Sequence, residues 1–124
     1  MEPLKILIIE DDPTTCTLLK TTLEMEGYQT AIVHDIENED VLSLLNSEKP
    51  DILFLDFYLG AKETLRFLAP IRADADWQHL SVLMTSAIDH AQDCLAAGAN
   101  DFILKPFNWD DLISKVNGVC EQTT

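Results

Sequence analysis

The sequence has no apolar run approaching the roughly 20 residues that cross a bilayer, so no membrane-spanning helix is expected. Its opening, Met1-Glu2-Pro3-Leu4-Lys5, does not read as a signal peptide, because the run behind Lys5 is short and rich in β-branched residues. The expected location is therefore the cytoplasm. Cysteine is sparse. Cys16, Cys94 and Cys120 are odd in number and far apart, which signals neither a disulfide framework nor a zinc site. His34, His79 and His90 also lack metal-ligand spacing, and no catalytic role is assigned to them. Positive charge is scarce too, with 8 Lys and Arg against 22 Asp and Glu, a net charge of -14. Such a surface repels nucleic-acid phosphates and anionic lipid, and suits cations or a basic partner. Repeats, low-complexity stretches and interior linkers are absent. The 124 residues are expected to form one domain, 1–124, around one core.

Short β-rich runs alternate with helical patterns. Leu4 to Ile9 is nearly continuous in apolar residues, as in a strand covered on both faces. Asp12-Pro13 opens a helix through Leu19 and Leu23 that Gly27 closes. Tyr28 to Val33 is a second strand. Asp35 is the expected N-cap of a helix carrying Val41, Leu42 and Leu45 on one face. Ile52 to Leu55 forms a third strand ending at Asp56. Leu65, Leu68 and Ile71 mark a third helix, which Pro70, late in it, should kink or shorten. Val82 to Met84 is a fourth strand. Ile88, Ala91 and Leu95 mark a fourth helix ending near Gly98. Phe102 to Leu104 is a fifth strand. Asn108 caps a last helix whose buried stripe is expected to be Trp109, Leu112, Ile113, Val116 and Val119. Five βα units of this kind require an α/β fold, a parallel sheet with helices on both faces, and ligands bind at the carboxyl ends of its strands.

Those ends carry chemistry. Strand one ends in Glu10-Asp11-Asp12, strand three in Asp56, strand four in Thr85-Ser86 and strand five in Lys105-Pro106. Two carboxylates about 4 Å apart repel by roughly 4 kcal/mol at an effective dielectric near 20. A divalent cation relieves that repulsion, and an all-oxygen site favours Mg²⁺, with Mn²⁺ an expected substitute, over zinc. A carboxylate beside Mg²⁺, an ammonium and a hydroxyl suits phosphoryl transfer, which needs positioning and charge neutralisation above all.

Ile6-Leu7-Ile8-Ile9-Glu10-Asp11-Asp12-Pro13, Asp51 to Asp56, Leu83-Met84-Thr85-Ser86-Ala87, Ala97-Gly98-Ala99 and Phe102 to Phe107 together resemble the receiver domain of bacterial response regulators, in order and across essentially the whole chain. The resemblance implies a flavodoxin-like doubly wound (βα)5 fold with strand order 2-1-3-4-5. It also implies roles. Asp56 would accept a phosphoryl group from the phosphohistidine of a sensor histidine kinase or phosphotransfer protein. Asp11 would ligate Mg²⁺ directly, Glu10 through a water, and the main-chain carbonyl of Tyr58 would complete the protein ligands beside Asp56. Ser86 would be the switch hydroxyl and Lys105 the cation that meets a phosphoryl oxygen, with a cis bond to Pro106. Thr85 competes with Ser86, which is preferred because it directly precedes Ala87. Asp12 reads as an N-cap rather than a ligand. Phe102 takes the place of a switching aromatic and is expected to face inward. The output partner, an unidentified domain or protein, would bind the face made by the fourth helix, fifth strand and fifth helix, near Ala96, Asn100, Asp101 and Trp109.

The segment after Asp56 departs from the family pattern. Gly60 stands where a Pro is common and Thr64 where a Gly is, so a loosened loop is expected. Tyr58 and Ile88, which flank the reaction site in relatives, are bulky and are not bases, which implies slow self-dephosphorylation. Two rivals remain: a receiver-like interaction module that is not phosphorylated, and an aspartyl-nucleophile phosphatase. The first would be expected to lose part of the set Glu10, Asp11, Asp56 and Lys105. The second usually has an Asp where Tyr58 stands.

Overall fold

The apolar runs pair into a single parallel sheet. In the computed structural model, which describes residues 2–121, the strands are β1 (Lys5–Ile9), β2 (Gln29–Val33), β3 (Ile52–Asp56), a short hairpin of β4 (Tyr58–Leu59) and β5 (Lys62–Glu63), β6 (Ser81–Ser86) and β7 (Asp101–Leu104). Met1 and residues 122–124, the ends of the expected 1–124 span, lie outside the described residues. The helices are α1 (Pro13–Met25), α2 (Val41–Glu48), α3 (Leu68–Ala73), α4 (Ala91–Ala97) and α5 (Trp109–Glu121). The sheet order is β2-β1-β3-β6-β7. Counting the five long strands alone, this is the expected 2-1-3-4-5 order of the doubly wound, flavodoxin-like fold.

Side-chain alternation along the strands builds two cores. Leu7, Ile9, Leu53, Leu55, Val82, Met84 and Phe102 face one way and pack with residues of α2, α3 and α4, including Leu45, Leu68, Ile71 and Cys94. Ile6, Ile8, Ile52, Phe54, Leu83 and Ile103 face the other way, against Leu19 and Leu23 of α1 and Leu112, Val116 and Val119 of α5. Each such side chain contributes roughly 1.5–3 kcal/mol over the exposed state. Every residue of β3 and β6 is buried, which explains their apolar middles, Ile52 to Leu55 and Val82 to Met84, with polar residues held to the strand ends. Among the described residues, no helix is long and apolar enough to cross a membrane.

Local signals hold at several boundaries. The Asp12 side chain accepts from the Thr15 amide at 2.8 Å and caps α1, and Asn108 accepts from the Asp111 amide at 2.8 Å ahead of α5. Other expectations need correction. The cap of α2 is Asp40, which accepts from the Ser43 amide at 3.0 Å. Asp35 instead accepts from the Ile36 amide and pairs with Lys62 at 2.7 Å. A single 3₁₀ turn, residues 37–39, delays the helix, with Asn38 and Glu39 at positive φ. Pro70 lies in the first turn of α3 rather than late, because 65–67 form a 3₁₀ turn. Ile88 lies before α4 and is 58% exposed, and Leu95 is 49% exposed; Cys94 is the residue α4 buries. Trp109 is 39% exposed rather than part of the buried stripe of α5.

Candidate functional site

β1 and β3 are neighbours at the point where the strand order reverses, and their carboxyl ends deliver Glu10, Asp11 and Asp56 to one place. One carboxylate oxygen from each lies within 4.8 Å of the others. Glu10 and Asp56 are buried, while Asp11 is exposed. Lys105, just past β7, donates from Nζ to Glu10 Oε1 at 2.7 Å and to Asp56 Oδ2 at 3.0 Å. The Tyr58 amide donates to Asp56 Oδ1 at 3.2 Å, and the Asp11 amide to Glu10 Oε2 at 3.2 Å. The Lys105–Pro106 bond is cis. Asp12 is turned to its helix cap, outside this group.

β6 lies on the other side of β3, with Asp56 in register with Thr85. The Thr85 hydroxyl is spent on the Ile103 carbonyl at 2.8 Å. Ser86 is buried, and its Oγ accepts from the Ile88 amide at 3.1 Å. Phe102 is buried and packed in the core, with its ring on the inside as expected.

Three carboxylates facing one ammonium leave an excess of negative charge. Burial raises the Glu10 pKa to about 7, reinforced by neighbouring Asp56 and opposed by Lys105. Burial works against the Lys105 ammonium, but Glu10 and Asp56 outweigh it and hold its pKa above the ordinary lysine value. An all-oxygen set this crowded and under-neutralised fits a hard divalent cation of the Mg²⁺ type. A carboxyl whose pKa rises on folding stabilises the fold while protonated. The contribution of Glu10 is thus fully present below about pH 4.5 and disappears as pH rises through about 7. In chelator, the wild type should lose stability across this window relative to Glu10→Gln. Thermal melts of both proteins between those pH values would check it; parallel profiles would contradict it.

The segment after Asp56 is not loosened. Residues 58–63 form an antiparallel hairpin in which Tyr58 pairs with Glu63 and Leu59 with Lys62. Gly60 turns at φ 61°, a conformation closed to proline, and its amide donates to Asp11 Oδ2 at 2.8 Å. A proline there would supply no such donor. Thr64 is fully buried, and its hydroxyl donates to the Asp56 carbonyl at 2.7 Å, with the Phe57 carbonyl at 3.2 Å. Both residues are departures in the sequence pattern, which gives no sign of these bonds. Nor does it give any sign of His90, whose ring stacks on Phe57 and whose Nε2 lies 3.2 Å from the Tyr58 hydroxyl. No spacing rule flags such a contact, because it joins residues 32 positions apart.

On the expected partner face, Asn100 is engaged internally: its Oδ1 accepts from the Val82 amide at 2.7 Å and from Arg72 Nη2 at 3.0 Å. Asp101 pairs with Lys115 at 3.3 Å. The exposed apolar side chains there are Leu95 of α4, Leu104 of β7 and Trp109 of α5.

Comparison with known proteins agrees with this architecture. The family model for the response regulator receiver domain matches residues 6–117. The transcriptional regulatory protein TrcR of Mycobacterium tuberculosis is 27% identical over 125 residues, covering 98% of this chain and 47% of the relative. The signal receiver domain of a signal transduction histidine kinase from Syntrophus aciditrophicus superposes with a TM-score of 0.80 at 28% identity, covering 95% of this chain and 90% of that one. The receiver domain of sensor histidine kinase PA1611 from Pseudomonas aeruginosa PAO1, solved with a magnesium ion coordinated in its active-site cleft, shares the fold at a TM-score of 0.78 and 23% identity, with 96% and 98% coverage. The chain spans about half or less of the length of the curated relatives it matches, 47% of TrcR and 24% of the alginate regulator AlgB of Pseudomonas syringae pv. tomato.

Proposed function

The chain belongs to the response regulator receiver domain family of two-component signalling, and from that premise we infer that it receives a phosphoryl group on Asp56 in an Mg²⁺-dependent reaction with a sensor histidine kinase or phosphotransfer protein. The observation that carries this reading is the convergence of Glu10, Asp11, Asp56 and Lys105 at one sheet edge. The Asp56 carboxylate attacks phosphorus, the phosphorus bond to the donor breaks, and the donor leaves with the electron pair. Lys105, now shared between Asp56 and Glu10, would meet a phosphoryl oxygen once Asp56 carries the group. Glu10, Asp11, Asp56 and the Tyr58 carbonyl are the groups that would hold Mg²⁺, or Mn²⁺ in its place. When bound, the ion neutralises charge gathered on the phosphoryl oxygens.

Ser86 is the hydroxyl that would turn toward the new phosphoryl group. Its movement would bias the α4-β7-α5 face, where Leu95, Leu104 and Trp109 offer exposed apolar area to an output domain or partner protein. The chain is a signalling domain that catalyses only its own phosphorylation and slow dephosphorylation. It is proposed as one receiver unit, residues 1–124, working in the cytoplasm. Its charge of -14 argues against nucleic-acid contact by these residues themselves.

The test is incubation of the intact chain with acetyl phosphate, with Mg²⁺ or with chelator, followed by intact-mass measurement. One labile phosphoryl group in Mg²⁺ alone supports the reading. Absence of uptake in both conditions returns the interaction-module alternative, and turnover of phosphate esters without an acyl-phosphate donor would favour the phosphatase.

A further inference from the structure

We propose that His90 is a positioning residue that anchors Tyr58 beside the acceptor and so prolongs the life of the phosphoryl group; the proposal rests on Asp56 being the acceptor. The His90 imidazole lies flat on Phe57, with ring centroids 4.0 Å apart and planes 9° from parallel. Its Nε2 shares a hydrogen bond with the Tyr58 hydroxyl at 3.2 Å. Tyr58 meets Phe57 and His90 edge-on at 4.8 Å and 5.7 Å. Asp93 Oδ2, 4.0 Å from His90 Nδ1, favours a proton on that nitrogen, which leaves Nε2 to accept from the tyrosine.

The placement of this three-ring cluster gives it a role. Phe57 and Tyr58 directly follow Asp56, whereas His90 directly precedes α4, four residues past Ser86. The cluster therefore bolts the loop of the acceptor to the loop of the switch hydroxyl. Tyr58 is tied at both ends, by its hydroxyl to His90 and by its amide to Asp56 Oδ1. Ile88, the other flanking residue, is 58% exposed and shields little. Loss of the phosphoryl group requires a water oxygen to bond to phosphorus while the bond from phosphorus to the Asp56 oxygen breaks. The electron pair returns to the carboxylate, and the water's proton passes to phosphate or solvent. A tyrosine ring that cannot swing away restricts that approach, and His90 is what keeps it from swinging.

The experiment charges the intact chain with acetyl phosphate and Mg²⁺, removes the donor, and follows decay of the phosphorylated mass. The proteins are wild type, Tyr58→Phe, His90→Ala, His90→Gln and the double variant Tyr58→Phe/His90→Ala. Tyr58→Phe removes a single oxygen and tests the anchor without threatening the fold. Loss of one hydrogen bond should speed decay about threefold to tenfold in both Tyr58→Phe and His90→Ala. The double variant should decay no faster than the faster single, because both remove the same bond. His90→Gln, which keeps a hydrogen-bonding amide near the Nε2 position, should recover part of the lifetime. Wild-type uptake with unchanged decay in the singles, or additive effects in the double, overturns the positioning role. Failure of the wild type to take up any phosphoryl group overturns the acceptor assignment itself, and this proposal with it.

Discussion

Asp56→Asn is expected to take up no phosphoryl group from acetyl phosphate under conditions in which the wild type charges fully, while keeping its fold. The change replaces one oxygen by an NH₂ and leaves the shape of the side chain intact. A neutral amide oxygen is a poor nucleophile, and the new NH₂ is a donor where Asp56 Oδ2 now accepts from Lys105 at 3.0 Å. Other carboxylates cannot stand in. Glu10 is buried and committed to Lys105 at 2.7 Å, and Asp11 is held by the Gly60 amide at 2.8 Å. The fold should survive because Asp56 ends β3, and the bonds that fix its backbone come from the Thr64 hydroxyl and the β6 ladder. Intact-mass spectra with circular dichroism would check both halves. Retention of a labile phosphoryl group in Asp56→Asn would move the acceptor elsewhere.

Arg72→Ala is expected to cost about 3 kcal/mol of stability. Arg72 lies in the last turn of α3, and its guanidinium donates to the Gly98 carbonyl at 2.9 Å, the Gln78 carbonyl at 3.1 Å, the Leu80 carbonyl at 2.7 Å and Asn100 Oδ1 at 3.0 Å. One side chain thus joins α3, the chain entering β6 and the turn between α4 and β7. Gly98 is at φ 112°, and a Cβ there would sit 3.1 Å from Arg72 Cγ, so the turn and the arginine are fitted to each other. Truncation would strand partly buried carbonyls. Arg72→Lys should rescue little, since one ammonium cannot span four acceptors in a planar fork. Urea unfolding of the three proteins measures this; a loss below about 0.5 kcal/mol in Arg72→Ala would place the hub's contribution at the level of an ordinary surface residue.

Legibility in the sequence followed the range of the interaction. Strands covered on both faces carry apolar runs, so β1, β3 and β6 are readable, and with them the positions of Glu10, Asp11, Asp56 and Ser86 at their carboxyl ends; the position of Lys105 follows from the run of β7. Caps that act within three residues, Asp12 and Asn108, were equally readable. Asp35 and Asp40 are five residues apart and both can cap, and only the 3₁₀ turn between them, with its positive-φ Asn38 and Glu39, decides for Asp40. Gly60 and Thr64 show why a departure from a family pattern is a poor guide to local order. The glycine frees an amide for Asp11, and the threonine adds a buried hydroxyl under Asp56. His90 and Arg72 act across long sequence separations, through stacking and a four-way guanidinium contact, and neither leaves a periodic signal. Leu95 and Trp109 fit the helical stripes by spacing yet lie on the surface, because α4 has only seven residues and α5 turns its first residue outward.

A calorimetric titration of Mg²⁺ into wild type and Asp11→Asn bears most directly on the proposal that Glu10, Asp11 and Asp56 share one cation. The wild type should bind one ion per chain, and Asp11→Asn, which keeps the side chain's shape but removes an exposed carboxylate from the cluster, should bind at least about tenfold more weakly. Equal affinity in the two proteins, or no binding by the wild type at millimolar Mg²⁺, would contradict a site built by Glu10, Asp11 and Asp56 around a single ion.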